Sequence, residues 1–310
     1  MSKHQRIRLT ARTVLAAALW IAGAAAFVAQ EEGAPASKGV GPAGEVQRVA
    51  GGLTFTEGPA ADEDGNLYFT DVRRSLILKL DAAGRMATFL ADTDRCNGLV
   101  FAGPKRLLAC QGGAGKLIAI DLETRAIKVR ADGFDGVRFN APNDLVADAT
   151  GGVYFTDPVF GQSVLHHKTE AVYYVAPDGR VTRVLKDRAK PNGISLSPDG
   201  KTLYVLHSSE SALTAFPVEE PGRVGAGKRL GPARPGDGMT LDEHGNLYLT
   251  QPADKIVLVL SPTGDVRARI EIPEAPTNCT FGGKDRRTLF VTARTSVYAV
   301  PMHVRGHPKR

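Results

Sequence analysis

The sequence predicts an all-β chain folded as a six-bladed β-propeller, and three observations lead there. One grammar recurs six times: an oxygen-bearing side chain, an apolar strand, a Gly-containing turn, and a second strand 11 or 12 residues on. Equivalent second-strand positions, from Tyr68 through Leu108, Tyr154, Tyr204 and Tyr248 to Phe290, are 40, 46, 50, 44 and 42 residues apart. A period of that length, with no amphipathic helix inside it, is that of a four-stranded propeller blade. Gly (34) and Pro (19) are frequent enough to punctuate many short strands.

Third strands are expected over 75–80, 116–121, 171–176, 212–217, 256–261 and 296–301. Several end in steps such as Asp178–Gly179 and Thr263–Gly264. These supply the positive-φ residue a tight hairpin needs before a fourth strand. Residues 46–53 have strand character but no repeat of their own, and the chain after Met302 is too short to finish a blade. The outer strand of the last blade is therefore expected from the N-terminal side, closing the ring and covering its open edge. The insertions 133–142 and 159–169 are expected as loops on one face.

The chain divides into a signal peptide (1–29), a flexible leader (30–44), the propeller (45–303) and a basic tail (304–310). Lys3, Arg6, Arg8 and Arg12 precede an uncharged Ala- and Leu-rich run with small residues near Ala24, Ala26 and Ala29. That is the pattern of a secretory signal. The apolar run is short for a span of about 20 residues, so cleavage is expected rather than retention as an anchor. No adjacent Arg pair occurs in this basic region, which favours the general secretory route. The protein is then exported, periplasmic or secreted, with no membrane attachment, and a monomer is expected. Loss of the signal takes the formal charge from +6 to about +2. That balance, without a dense Lys/Arg stripe, excludes nucleic acid as a partner. Three cysteines are an odd count. Cys96 and Cys110 fall in neighbouring strands and could pair, leaving Cys279 alone, or all three are small buried side chains.

The chemistry lies in the leading positions of the six repeats: Glu57, Asn97, Asn143, Asn192, Asp237 and Asn278. The first strand of each blade lines the axis, so a fixed offset brings all six to one height near one mouth. A single Asn or Asp heading a strand is a turn-former. Six in register, with Glu57 among them, call for another cause. Two carboxylates and four amides around a channel repel, or raise a pKa, unless a cation sits between them. Every donor is an oxygen, so the site suits one hard divalent ion: Ca²⁺ by preference, then Mg²⁺ or Mn²⁺, with Zn²⁺ less natural. An ion with open positions can polarise a carbonyl or phosphoryl oxygen. Asp237, flanked by Gly236 and Gly238, is expected to act as base or nucleophile while touching the ion.

The stretches EGPAADEDGNLYFTD, FNAPNDLVADATGGVYFTDP, KPNGISLSPDGKTLYV, GDGMTLDEHGNLYLTQ and TNCTFGGKDRRTLFVTA together resemble the gluconolactonase, regucalcin (senescence marker protein) and luciferin-regenerating-enzyme family. The likeness spans roughly residues 46–302 and implies a six-bladed propeller with one catalytic divalent ion in its channel. Carried over, it makes Glu57, Asn143, Asn192 and Asp237 the ion ligands, with Asp237 also the general base. It places substrate contacts at Arg138 and Asn140, and leaves Asn97 and Asn278 facing substrate or standing behind the ligands. The implied activity is metal-dependent hydrolysis of sugar lactones, with a small-molecule lactone as the partner. Two alternatives use the same site: hydrolysis of organophosphates or other small esters, and a non-catalytic propeller that binds a ligand. No Gly-x-Ser-x-Gly elbow is present to suggest a serine hydrolase. His166 and His167 in the insertion are read as solvated, and His207 as a strand-end residue.

Overall fold

The six repeats fold as six antiparallel sheets, seen in a computed structural model that describes residues 39–161, 164–186, 190–210, 212–232 and 234–307. The signal peptide and most of the leader lie outside the described residues. The first strand, β1 (Gln47–Ala50), belongs to the last blade. Blade one is β2 (Thr56–Ala61), β3 (Leu67–Asp71), β4 (Leu76–Leu80) and β5 (Met86–Leu90), with a 3-10 turn at Val72–Arg74. Blade two is β6 (Cys96–Phe101), β7 (Arg106–Gln111), β8 (Lys116–Asp121) and β9 (Ile127–Ala131). A small hairpin, β10 (Gly133–Phe134) with β11 (Val137–Arg138), leads into blade three: β12 (Leu145–Ala147), β13 (Val153–Asp157), β14 (Ala171–Val175) and β15 (Val181–Lys186). Blade four is β16 (Pro191–Leu196), β17 (Thr202–His207) and β18 (Ala212–Glu220), which turns back through β19 (Arg223–Val224) to β20 (Lys228–Leu230). Blade five is β21 (Met239–Leu241), β22 (Leu247–Gln251), β23 (Ile256–Leu260) and β24 (Val266–Glu271). Blade six is β25 (Asn278–Gly282), β26 (Thr288–Ala293) and β27 (Ser296–Pro301), and β1 pairs with β27 as its outer strand.

The expected ring closure is thus present. The first insertion is a hairpin rather than a plain loop. The ends of the propeller lie beyond 45 and 303. Ala43 donates its N–H to Pro301 O at 2.7 Å, Val304 is buried, and His307 donates to Leu241 O at 2.9 Å.

The turns between first and second strands of blades one, three and five follow one recipe. Asp62, Asp148 and Asp242 each accept the N–H four residues on, at 2.8, 2.9 and 2.9 Å. A glycine with φ of 88, 90 and 78° (Gly65, Gly151, Gly245) completes each turn.

Apolar faces of neighbouring sheets pack against each other, and each of the six seams has its own buried cluster. Between blades one and two, Tyr68, Ile77 and Phe89 meet Leu99, Leu107 and Ile118. Tyr68 stands edge-on to Phe89 with ring centroids 5.1 Å apart. Between blades six and one, Val297 meets Leu53, Phe69 and Leu78. All three cysteines are buried thiols rather than disulfides. Cys96 faces the seam between blades one and two, and Cys110 the seam between blades two and three, so the two thiols lie on opposite sides of one sheet. Burial pushes the Cys96 thiol up to about 12, which leaves it inert.

Candidate active site

In three inner strands the pairing register slips at the oxygen donor: between Glu57 and Ala60, between Cys96 and Leu99, and between Pro191 and Ile194. The bulge leaves Asn97 and Asn192 unpaired and in blade one falls just after Glu57, which still faces Thr70, and it re-aims the side chains there. In blades three and five the donor stands just ahead of the strand, held by Asn143 N–H to Thr156 O at 2.9 Å and Asp237 N–H to Thr250 O at 3.1 Å. Asn278 opens β25 opposite Thr292 without a bulge.

The residue after the donor is glycine in four blades, and the seams explain it. Gly98 N–H donates to Asn143 O at 2.7 Å, Gly193 N–H to Asp237 O at 2.7 Å, and Gly238 N–H to Thr277 O at 2.8 Å. The alternate seams are tied by threonine hydroxyls: Thr70 to Asn97 O at 3.1 Å, Thr156 to Asn192 O at 2.9 Å, and Thr277 to Thr56 O at 2.7 Å. Backbones this close leave no room for a side chain. A Cβ on Gly58 would sit 1.9 Å from Asn97 O, and one on Gly238 would sit 2.1 Å from the Asn278 amide carbon.

With the inner strands drawn together, the six donors meet. Asn97 Nδ2 donates to Asn143 Oδ1 at 2.5 Å, and Asn143 Nδ2 to Asn192 Oδ1 at 2.8 Å. Asn192 Nδ2 donates to Asp237 Oδ1 at 2.6 Å and to Ser208 Oγ at 2.9 Å. Across the channel, Asn278 hydrogen-bonds Glu57 and places Nδ2 3.4 Å from Asp144 Oδ2. Glu57, Asn143, Asn192 and Asn278 are buried, while Asn97 and Asp237 are half-buried at the mouth.

Asp144 is the residue that sequence reading passed over. It occupies the column that holds Gly58, Gly98, Gly193 and Gly238 elsewhere. An acid in a column of glycines was the available signal. It is 1% exposed and accepts Leu145 N–H at 2.9 Å.

Three acids in one channel govern its electrostatics. Burial raises the Glu57 carboxyl well above the usual carboxylate range, and the charges of Asp237 and Asp144 push the same way. The Asp237 carboxyl is raised from 3.8 to about 7, first by burial; the Asn192 amide opposes the rise, Asp144 adds to it, and Arg294 opposes it again. Among the described residues no three of His, Cys, Asp and Glu group as a metal cluster. The convergent set is instead carboxylates with amides, all offering oxygen and short of positive charge. That chemistry fits a hard divalent cation better than it fits zinc.

Arg138 and Asn140 stand apart from the donors. The Arg138 guanidinium donates to Gly113 O at 3.0 Å and to Phe139 O at 3.3 Å. Asn140 is buried with its amide committed: Nδ2 donates to Asp157 O and Thr169 O, and Oδ1 accepts the His166 and His167 N–H groups. Its place is to hold the insertion onto blade three. His167 packs in an aromatic cluster with Phe134, Phe139 and Tyr173 rather than in solvent, and His207 is buried at the end of β17. A shallow hollow lined by Arg48 to Gly52 lies at the ring closure and contains none of the donors.

The signature described as SMP-30/Gluconolactonase/LRE-like region matches residues 55–295. The chain belongs to this family. It is 28% identical over 289 residues to a gluconolactonase from Zymomonas mobilis, with 82% of this chain and 80% of that protein covered. Among solved structures, a gluconolactonase from Xanthomonas campestris superposes with a TM-score of 0.76 at 26% identity, covering 86% of this chain and 98% of that one. A calcium-binding protein, regucalcin, from Agrobacterium tumefaciens shares the fold with a TM-score of 0.75 at 22% identity, covering 86% and 96%.

Proposed function

We propose that this family member hydrolyses sugar lactones at the channel mouth, with a divalent cation, Ca²⁺ by preference, held by Glu57, Asn143, Asn192 and Asp237. The observation that carries the proposal is the buried convergence of Glu57 and Asp237 with four amides, in a chain similar to gluconolactonases from end to end of its propeller. When bound, the cation supplies charge that polarises a carbonyl oxygen and draws both carboxyls to their ionised form.

The chain's own residues supply the rest. Asp237 Oδ takes a proton from a water molecule, whose oxygen bonds to the lactone carbonyl carbon. The ring C–O bond then breaks, and the departing alkoxide takes back the proton held by Asp237, leaving the open hydroxy acid and a free Asp237 carboxylate. Burial raises the ion-free Asp237 carboxyl to about 7, and a bound cation would favour its ionised form, the form a base needs near neutral pH. The Asn192 amide fixes the Asp237 carboxylate, and Ser208, whose hydroxyl donates a hydrogen bond to Gly236 O at 2.9 Å, fixes Asn192. Asn97 lies half-exposed at the head of the amide chain, where a substrate hydroxyl can reach it.

The test is hydrolysis of δ-gluconolactone by the purified protein, with and without chelator, beside Asp237→Asn. Loss of the base is expected to lower the rate by about 10²-fold or more, and chelation is expected to abolish it reversibly. Rates that survive both treatments would rule out the mechanism. Turnover of a fluorophosphate or aryl ester in place of the lactone would move the substrate while keeping the site. The basic and apolar residues of 1–29 support export from the cytosol, which cell fractionation would check.

A further inference from the structure

The rim beside Glu57 is basic. It is built from the loop 51–55, the turn Val72–Arg74 and the turn between β26 and β27. Its exposed charged side chains are Arg73, Arg74 and Arg294. Two acids lie there: Asp71 is buried and accepts Thr54 N–H at 2.9 Å and Phe55 N–H at 3.1 Å, and Glu274 is half-buried against the Thr295 turn. Among the described residues none of the three arginines has an ion pair. Arg73 lies over the Phe55 ring, 5.3 Å from its centroid.

Arg294 is held in place by its neighbours while its guanidinium is left unspent. Its φ of 44° lies in the left-handed region, uncommon for a side-chain-bearing residue. Such a backbone persists where the surroundings fix it. The Arg294 carbonyl accepts the N–H of Thr56, the residue before Glu57, at 2.7 Å. Glu274 accepts the Thr295 N–H at 3.1 Å and hydroxyl at 2.9 Å, and also takes the Ser296 and Tyr298 hydroxyls. The carboxylate best placed to pair with Arg294 is therefore spent on neutral donors. The Arg294 charge acts on Asp237, so a molecule bound at Asp237 lies within its influence. Arg138, the guanidinium that family resemblance put forward, is committed to two carbonyls.

We propose that Arg294, backed by Arg73, forms an anion subsite at the mouth and selects lactones that carry a carboxylate, phosphate or sulfonate remote from the ring carbonyl. It rests on the lactonase function above for its substrate but not for its charge. A guanidinium fork holds two oxygens of such a group at once, which neither a hydroxymethyl group nor water reproduces. A rim with three exposed arginines, whose nearby carboxylates Asp71 and Glu274 are held by neutral donors, raises the local concentration of anions.

Two lactones with the same ring separate the possibilities. Glucaro-1,4-lactone and glucono-1,4-lactone differ only at the terminal carbon, a carboxylate in one and a hydroxymethyl in the other. The wild-type protein is expected to favour the anionic lactone in kcat/KM, and Arg294→Gln to cut that preference about tenfold, chiefly through KM. Arg294→Lys is expected to keep part of it. A wild-type enzyme with no preference, or an Arg294→Gln enzyme that keeps it, overturns the subsite. If neither lactone is hydrolysed, the lactonase function fails. Calorimetry with glucarate and gluconate then decides the subsite alone. Tighter glucarate binding that is lost in Arg294→Gln supports it, and equal binding of the two acids overturns it.

Discussion

Glu57 and Asp237 hold protons at pH values where free carboxylates have lost them, because they share a buried channel with Asp144. The sign of the effect on stability follows. An unfolded Asp loses its proton near 3.8, while folded Asp237 keeps it to about 7. In the metal-free protein this contribution to stability is therefore full below the lower value and is lost as pH rises through the upper one. Glu57, shifted in the same direction, adds to the loss. Calcium is expected to reverse the trend by favouring the ionised forms. Thermal unfolding of chelated and calcium-loaded protein across pH 5–8 checks this. The gap between the two melting temperatures should widen with pH, and a constant gap would mean that the acids do not serve the ion. Glu57→Gln removes one of the charges and should shrink the gap.

At the scale of the element, the column of glycines after the donors carries the architecture. Gly238→Ala puts a methyl into the Asn278 amide, and Gly58→Ala meets a backbone carbonyl at a φ of 47°. Overpacking of this kind typically costs about 1–3 kcal/mol, and here it also pushes apart two donors. Both variants are expected to lose stability in denaturant titration and to lose turnover out of proportion to it. Full activity in Gly238→Ala would show that the seam has slack. Thr250→Val probes the same seam from the other side, since that hydroxyl bonds Gly238 and Thr277 at 2.8 and 2.9 Å. Removing it leaves buried backbone groups short of partners, at about 1–3 kcal/mol.

These elements also show what sequence could and could not reveal. The donors were legible because one side-chain type repeats at one offset, and the strands because their turns carry Asp and Gly at fixed places. Asp144 was hidden by its neighbour Asn143, which already filled the expected role. Asn140 is ambiguous in sequence because a polar residue beside a site looks the same whether it meets substrate or holds a loop. Only the burial of its amide among four backbone groups distinguishes the two. Arg294 gave no signal at all, since its place beside Thr56 and Glu57 depends on blade six meeting blade one, the joint most remote in sequence.

For the whole molecule, that joint is the point of greatest dependence. β1 covers β27 and is the only strand in its sheet that comes from the N-terminal side. Truncation before Gly51 leaves the β27 edge open to pair with another chain. The truncated protein is expected to melt lower and to self-associate with concentration in size-exclusion chromatography. A monomer with an unchanged melting temperature would contradict the closure. The same joint brings Thr56 to Arg294 and Thr277, and so sets Glu57 opposite Asp237.

The most direct measurement on the molecule is calcium titration by calorimetry at pH 7 in two buffers of different ionisation enthalpy. If the six donors form one cation site, binding should saturate at about one ion per chain and release protons from Glu57 and Asp237. Glu57→Gln should weaken the binding and reduce the release. Calcium that fails to bind, or binds with no proton released and equally well to Glu57→Gln, would contradict a cation site built on these acids.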